Sequence, residues 1–329
     1  MKAFRYERPT TVEAAVRAHA GGALLKANGI DVLDRMKERL DQPDRVVTLV
    51  DVPGLDRVER RPDGSLSIGA MTTLATLAAS ADVAAACPTL ATAAGLAASP
   101  ALRNRATLGG NLGQHTRCGY YRFASFRCFK RGDADCPVQA PGGVQEPAGI
   151  FGIDLCACAH PSSLAPVLAA GGAVAVVVSA KGERRVPVAA LYEPPARGKA
   201  SDWVLGEGDV LVRVEVPPVV AGSHRVGYEE VRQKAAFDWP LVVGAVWVAA
   251  RDGVVADARV WLGAVAPSPW RAEAAEKALV GKPFTAAQAA VAGEAAVAGA
   301  TPLPGTAYKV ELVKVVVRRA LVAALERRS

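Results

Sequence analysis

Five of the six cysteines in this 329-residue chain lie between Cys118 and Cys158, in a segment that starts directly after the turn Leu108-Gly109-Gly110-Asn111. Thiolates gathered in a non-repetitive loop are what a metal or iron–sulfur centre needs. A glycine pair beside them lets a backbone approach a phosphate closely, with amides pointing at it and both glycines free to take positive φ. Two adjacent cofactors of this kind imply electron transfer.

The cysteine positions 118, 128, 136, 156 and 158 are separated by long, unequal gaps. Structural zinc sites pair their ligands as C-x₂₋₄-C, and bacterial ferredoxins use C-x₂-C-x₂-C. Neither spacing is present. Iron–sulfur, zinc and unliganded thiols therefore all stay open on the residues alone, although four thiolates from five candidates would suffice for a cubane, and nearby arginines would hold an anionic cluster. His115 and His160 bracket the loop and are read as lying outside the ligand set. Tyr120, Tyr121, Phe123, Phe126 and Phe129 supply an apolar wall against water.

A content of 51% hydrophobic and 22% charged residues suits a chain with two full cores. The start Met1-Lys2-Ala3-Phe4-Arg5 lacks the apolar stretch of a signal peptide, and no run of about 18 apolar residues suggests a membrane span. The expectation is a soluble, cytoplasmic protein, in which clustered cysteines are not a disulfide framework. Cys87, alone in an alanine-rich run, reads as a small buried hydrophobe. The net charge of +7 is dispersed; the basic stretch from Arg117 to Arg131 and the terminal Arg318, Arg319, Arg327 and Arg328 read as solvated faces, and no nucleic-acid binding is expected.

Along the chain, a helix capped at Thr10 or Thr11 leads to LLKANGIDVLDRMKERL, where Asn28-Gly29 turns into a helix carrying Asp34, Arg35, Lys37 and Glu38 outward. Strands follow at VVTLVDV and GSLSIGA, then a helix from Thr73 and helical sequence over 83–98. RNRATLGGNLG reads as a turn. Beyond the cysteines come a short helix, a strand over 173–178, a hairpin at Lys181-Gly182 and a strand ending at Pro217-Pro218. The remainder predicts strands over 241–250 and 256–264 around Asp252-Gly253, and helices over 272–280, 286–298 and 307–327. No internal repeat, Rossmann fingerprint or nucleophile–base pair is present.

In order, these pieces resemble the FAD-binding medium subunit of molybdenum hydroxylases, the group of xanthine dehydrogenase, carbon monoxide dehydrogenase and 4-hydroxybenzoyl-CoA reductase. The carriers are KANGIDVL, IGAMTTLA, RNRATLGGNL, VRQKAAFDWPLVVGAV, and GAVAPSPWRAEAAEKAL ahead of AYKVELVKVVVRRAL. The resemblance implies an α+β fold: a two-part FAD-binding domain of the vanillyl-alcohol-oxidase/PCMH type over 1–220, divided near 55, and a smaller C-terminal sheet-plus-helices domain over 221–329. It places FAD against Lys26, Ala27, Asn28, Gly29, Ile30, Asp31, Val32 and Leu33, against Ala106, Thr107, Leu108, Gly109, Gly110 and Asn111, and against Ser163. Asn28-Gly29-Ile30-Asp31 replaces the usual Gly-Gly-Thr-Asp, Ser163 stands where an aspartate is common, and Glu230 where a lysine is common.

An insertion over about 114–160 is similar to that of a subset holding an extra [4Fe–4S] cluster, which includes 4-hydroxybenzoyl-CoA reductase and iron–sulfur aldehyde oxidoreductases. Thr116-Arg117-Cys118 and the Cys156 to His160-Pro161 spacing match the subset's first and last ligands. Cys118, Cys128, Cys136 and Cys156 are thereby implied as ligands, and Cys158 as a spare. The implied activity is electron transfer in an oxidoreductase with no catalytic residue on this chain. Its implied partners are a large molybdenum-cofactor subunit, a small [2Fe–2S] subunit and an external carrier such as ferredoxin, in a dimer of heterotrimers. A self-sufficient flavin oxidoreductase and a zinc-stabilised scaffold without redox activity are the alternatives.

Overall fold

The computed structural model describes residues 1–219, 224–234 and 238–326. The expected boundary at 220/221, residues 235–237 of the VRQKAAFDWP segment, and Arg327 and Arg328 lie outside the described residues.

Three sheets organise the chain. The first is parallel, with β1 (Arg5–Glu7), β2 (Leu24–Lys26) and β3 (Arg45–Thr48) in the order β1-β3-β2. Parallel strands need crossover connections, here the helices Val12–Ala20 and Ile30–Lys37. The first is capped by Thr11, whose side chain accepts from the Ala14 amide.

The second sheet is antiparallel, with β4 (Val58–Arg60), β5 (Leu66–Gly69), β6 (Val174–Ser179), β7 (Gly182–Pro187) and β8 (Val210–Val216) in the order β4-β5-β8-β6-β7. Between β5 and β6 the chain leaves the sheet to form the helices Leu74–Ala79, Ala81–Ala86 and Pro88–Leu96 and then the cysteine loop. The third sheet, with β9 (His224–Val231), β10 (Val242–Arg251), β11 (Val254–Gly263) and β12 (Trp270–Arg271), runs β12-β11-β10-β9. Asp252 and Gly253 both take positive φ, as a two-residue hairpin with right-handed strand twist requires.

The third sheet is packed on both faces. Tyr228, Val243, Ala245 and Trp261 join the core of the second sheet and its helices. Val242, Val246, Val260 and Leu262 pack instead with Val313, Val316, Val317, Ala320 and Leu321 of the helix Tyr308–Glu326. That helix lies so close to β9 that a Cβ on Gly227 would sit 1.8 Å from the Ala320 carbonyl oxygen; only glycine fits.

Two expectations need correction. RNRATLGGNLG turns at Asn104-Arg105, directly after the helix Pro100–Arg103, but Leu108–Leu112 is a short helix, capped by Thr107 accepting from the Gly110 amide. β9 was not expected, because His224-Arg225-Val226-Gly227-Tyr228-Glu229-Glu230-Val231 carries charges at both ends and a glycine in the middle, which hides its apolar stretch. Among the described residues no helix is long and apolar enough to cross a membrane.

Candidate flavin and cysteine site

A cavity of about 620 Å³ opens where the three sheets meet, a size suited to a cofactor. Ala27, Asn28, Gly29, Ile30, Asp31 and Val32 form one wall, Ala106, Thr107, Gly109, Gly110 and Asn111 another, and Ser163 joins them. Three expected contacts are elsewhere. Lys26 is buried, its Nζ donating to the Tyr6 hydroxyl at 3.2 Å and the Ala27 carbonyl at 3.2 Å. Leu108 is fully buried in the main core. Leu33 packs behind Gly29, 2.9 Å from where a Cβ would be. Trp203, Arg232, Asp238 and Trp239 also line the cavity; the last three lie in the VRQKAAFDWPLVVGAV motif, which marks the segment but not its place at the cavity, and Trp203 sits in an irregular segment that no sequence signal marks.

The two glycine loops serve the cavity differently. Gly29 takes φ +88° and caps the helix from Ile30. The first amides of a helix have no intrahelical acceptor, which leaves them for an anion. At the second loop the amides are already used: Leu108 donates to Thr72 O, Gly109 to Ala70 O, Gly110 to Thr107 Oγ1 and Asn111 to Thr107 O. Neither Gly109 nor Gly110 has positive φ. Their smallness serves packing: a Cβ on Gly109 would lie 3.1 Å from Ala70 O, and one on Gly110 2.9 Å from Thr107 Oγ1. The expectation that this turn offers its amides to a phosphate is therefore corrected.

Asp31 is the electrostatic centre of the first wall. Its carboxylate accepts from Arg35 Nη1 at 2.5 Å, Arg122 Nη2 at 2.7 Å and the His115 amide at 3.1 Å, and pairs with Arg117 at 2.8 Å. Burial pushes this carboxyl up, but the His115 side chain and the guanidiniums of Arg117, Arg35 and Arg122 hold it well below the usual carboxylate range. Arg35, expected to face outward, is instead buried between Asp31 and Asp41 and donates to His115 Nδ1 at 2.6 Å. Burial lowers the His115 pKa, which leaves a neutral ring able to accept.

The basic stretch after Arg117 is not a solvated face either. Arg122 is buried, Lys130 is 1% exposed and paired with Asp202, and Arg131 donates to the carbonyls of Tyr121, Phe123 and Phe126. Asp202 lies between Ser201 and Trp203, which both line the cavity. Of the expected apolar wall, Tyr121 and Phe129 are buried whereas Phe123 and Phe126 are more than half exposed. His160 is buried edge-on against Tyr192.

Cys136, Cys156 and Cys158 are buried in one small core with Phe129, Val138, Ile153 and Ala157, and Cys118 packs against it. The Cys136 and Cys156 thiols share a hydrogen bond, and burial adds to it in pushing Cys136 up. For Cys156 the bond to Cys136 lowers the pKa, but the contact with Cys158 and burial outweigh it and push the thiol up. Burial raises Cys118 and Cys128 as well. Among the described residues no three His, Cys, Asp or Glu side chains stand close enough to hold a single metal ion. Cys87 is buried far along the chain from this group, beside Thr89.

Residues 2–219 match the family described as the FAD binding domain in molybdopterin dehydrogenase. The chain belongs to that family. Residues 227–324 match the carbon monoxide dehydrogenase flavoprotein C-terminal domain. The chain is 36% identical over 282 residues to the aldehyde oxidoreductase FAD-binding subunit PaoB of Escherichia coli, covering 85% of this chain and 86% of that protein. It is 30% identical over 332 residues to the carbon monoxide dehydrogenase medium chain of Hydrogenophaga pseudoflava, covering 98% of each.

Among solved structures, the Hydrogenophaga pseudoflava carbon monoxide dehydrogenase matches 98% of this chain and 97% of its own with a TM-score of 0.75 and 31% identity. Quinoline 2-oxidoreductase of Pseudomonas putida matches 100% and 99% with a TM-score of 0.76 and 26% identity. This molybdopterin dehydrogenase flavoprotein is thus an FAD-binding oxidoreductase subunit with the mixed helix-and-sheet fold of the carbon monoxide dehydrogenase medium chain. The cavity fits FAD by its size and by the N-terminus of the helix Ile30–Lys37 and the two glycine segments in its lining.

Proposed function

We propose that this chain is the electron-transfer subunit of a molybdenum hydroxylase complex, holding FAD in the large cavity and a [4Fe–4S] cluster in the cysteine loop. The observation that carries the reading is the joining of that loop to the cavity wall through Asp31, which sets the start of the cysteine loop beside the flavin-sized cavity. Ala27 to Val32 and Ala106 to Asn111, without Leu108, would hold the flavin, with Ser163 beside Asn111. FAD, when bound, takes electrons one or two at a time and so links two-electron to one-electron carriers.

Cys118, Cys128, Cys136 and Cys156 are the proposed cluster ligands, with Cys158 next to Cys156 as the spare. Cys136 and Cys156 share one small core against which Cys118 packs, while Cys128 stands outside it, so the cluster reading rests on the loop's cysteine content and its resemblance to the iron–sulfur subset. The 36% identity to an aldehyde oxidoreductase FAD-binding subunit supports placing the chain among the aldehyde-oxidising relatives. Substrate chemistry is assigned to a large molybdenum-cofactor subunit, with a small [2Fe–2S] subunit feeding the flavin and an external carrier such as ferredoxin beyond the cluster, in a cytoplasmic dimer of heterotrimers. Residues 1–220 and 221–329 are the proposed domains.

The complex copurified on this subunit is expected to show flavin bands over a broad shoulder bleached by dithionite, with about four irons for each copy of this chain beyond those of the small subunit. Cys136→Ser is expected to lose these irons while the flavin stays. A chain that carries stoichiometric zinc and no iron would remove the cluster from the reading, and a colourless one would remove the flavin as well.

A further inference from the structure

We propose that Asp31 is a positioning residue through which ordering of the cysteine loop and binding in the flavin cavity strengthen each other. The inference rests on the reading of that cavity as the FAD site. Asp31 stands on the cavity wall, in the first turn of the helix Ile30–Lys37. A carboxylate there would repel a pyrophosphate unless its charge were balanced.

The balance comes from the loop. Arg117 and Arg122 flank Cys118, and both reach Asp31, at 2.8 and 2.7 Å. Arg122 also ties the loop to itself and to the helix, donating to Thr116 O at 2.8 Å, His115 O at 3.2 Å and Asp34 Oδ2 at 3.1 Å. Arg117 lies over the ring of Trp239, 4.7 Å from its centroid, and both line the cavity. Arg35 alone would have to serve Asp31 and Asp41 together. An ordered loop therefore turns the wall from net negative to balanced, and the anionic ligand in return favours the arrangement in which these arginines are in place. Thermodynamic reciprocity requires the two effects to be equal.

The experiment is a double-mutant cycle in FAD affinity, measured by titrating flavin into the deflavinated full-length subunit. Arg122 does not line the cavity, yet Arg122→Met is expected to weaken FAD binding at least about tenfold, because it exposes the Asp31 charge. Adding Asp31→Asn to Arg122→Met is expected to restore most of that loss, a rescue that general loosening would not give. Additive losses, or an Arg122→Met variant that binds FAD as the parent does, overturn the proposal. Arg117→Gln, in a more exposed position, runs the same cycle should the Arg122 variant not fold.

Hydrogen exchange gives the reciprocal reading. Flavin is expected to slow exchange over residues 114–122 in the parent and much less in the rescued double variant; equal slowing in both counts against the coupling. A parent chain that binds no FAD at all would instead overturn the underlying assignment of the cavity, so the two failures are distinguishable.

Discussion

Gly29→Val is expected to leave the chain folded and take away most of its flavin. Two independent penalties fall on this position. The residue sits at φ +88°, where an L side chain costs roughly 1–2 kcal/mol and a β-branched one more. Its Cβ would also lie 2.9 Å from both Leu33 Cδ1 and Lys26 Cε. Lys26 has little room to give, since its Nζ is anchored to Tyr6 and Ala27 in a buried setting.

Relief comes most readily by moving the Asn28–Val32 loop, whose shape the cavity needs. A cost of about 2 kcal/mol placed on the flavin-competent loop weakens FAD roughly 30-fold. Flavin retained per chain after gel filtration, and an FAD titration on the deflavinated subunit, measure this directly. Gly29→Ala carries the same sign and a smaller loss, because it adds only the first of valine's carbons. A valine variant with parental affinity would show that this loop does not shape the site.

The same comparison shows which kinds of information the sequence carries. The elements that are legible are those with a strong local signal: the cap at Thr11, the Asp252-Gly253 hairpin, the strand ending at Pro217-Pro218, and the helix Tyr308–Glu326 with its repeating apolar face. The loops proposed for the flavin are reached only through the motifs KANGIDVL and RNRATLGGNL, the second of which hides a short helix over Leu108–Leu112. What escapes is the partner of each charge. Arg35, Arg122 and Lys130 are ordinary surface residues by composition, and become buried because Asp31, Asp41 and Asp202 stand against them from between 4 and 91 positions away. Apart from the i,i+4 pair of Asp31 and Arg35 on one helix, these ion pairs cross between segments and have no period or spacing, so no inspection of one strand or helix reveals them. The engaged amides of Leu108 to Asn111 are hidden for the same reason, since their acceptors include Thr72 and Ala70 from another element.

Lys309 gives the second large effect, in stability. This lysine is 1% exposed, at the start of the helix Tyr308–Glu326, and its Nζ donates to the Ala264 carbonyl at 2.9 Å and the Pro147 carbonyl at 3.5 Å. It thereby ties the third sheet to the cysteine loop. Burial alone lowers its pKa from the ordinary 10.5 to about 8. Between those two values the unfolded chain holds a proton that the folded chain has released, so folding stability rises with pH across the window from about 8 to 10.5 and is flat below it. The shift corresponds to about 3 kcal/mol over the whole window. Lys309→Met keeps the length of the side chain and removes the charge, so its urea midpoint is expected to lack this rise, while the parent midpoint climbs from pH 8 toward pH 10. Below pH 8 the variant escapes the cost of burying an ammonium but leaves two carbonyls short of a donor, and these effects oppose each other. The difference between the two pH profiles is therefore the decisive measurement, and parallel profiles would mean that Lys309 reaches water and is not a buried cation bridging two parts of the fold.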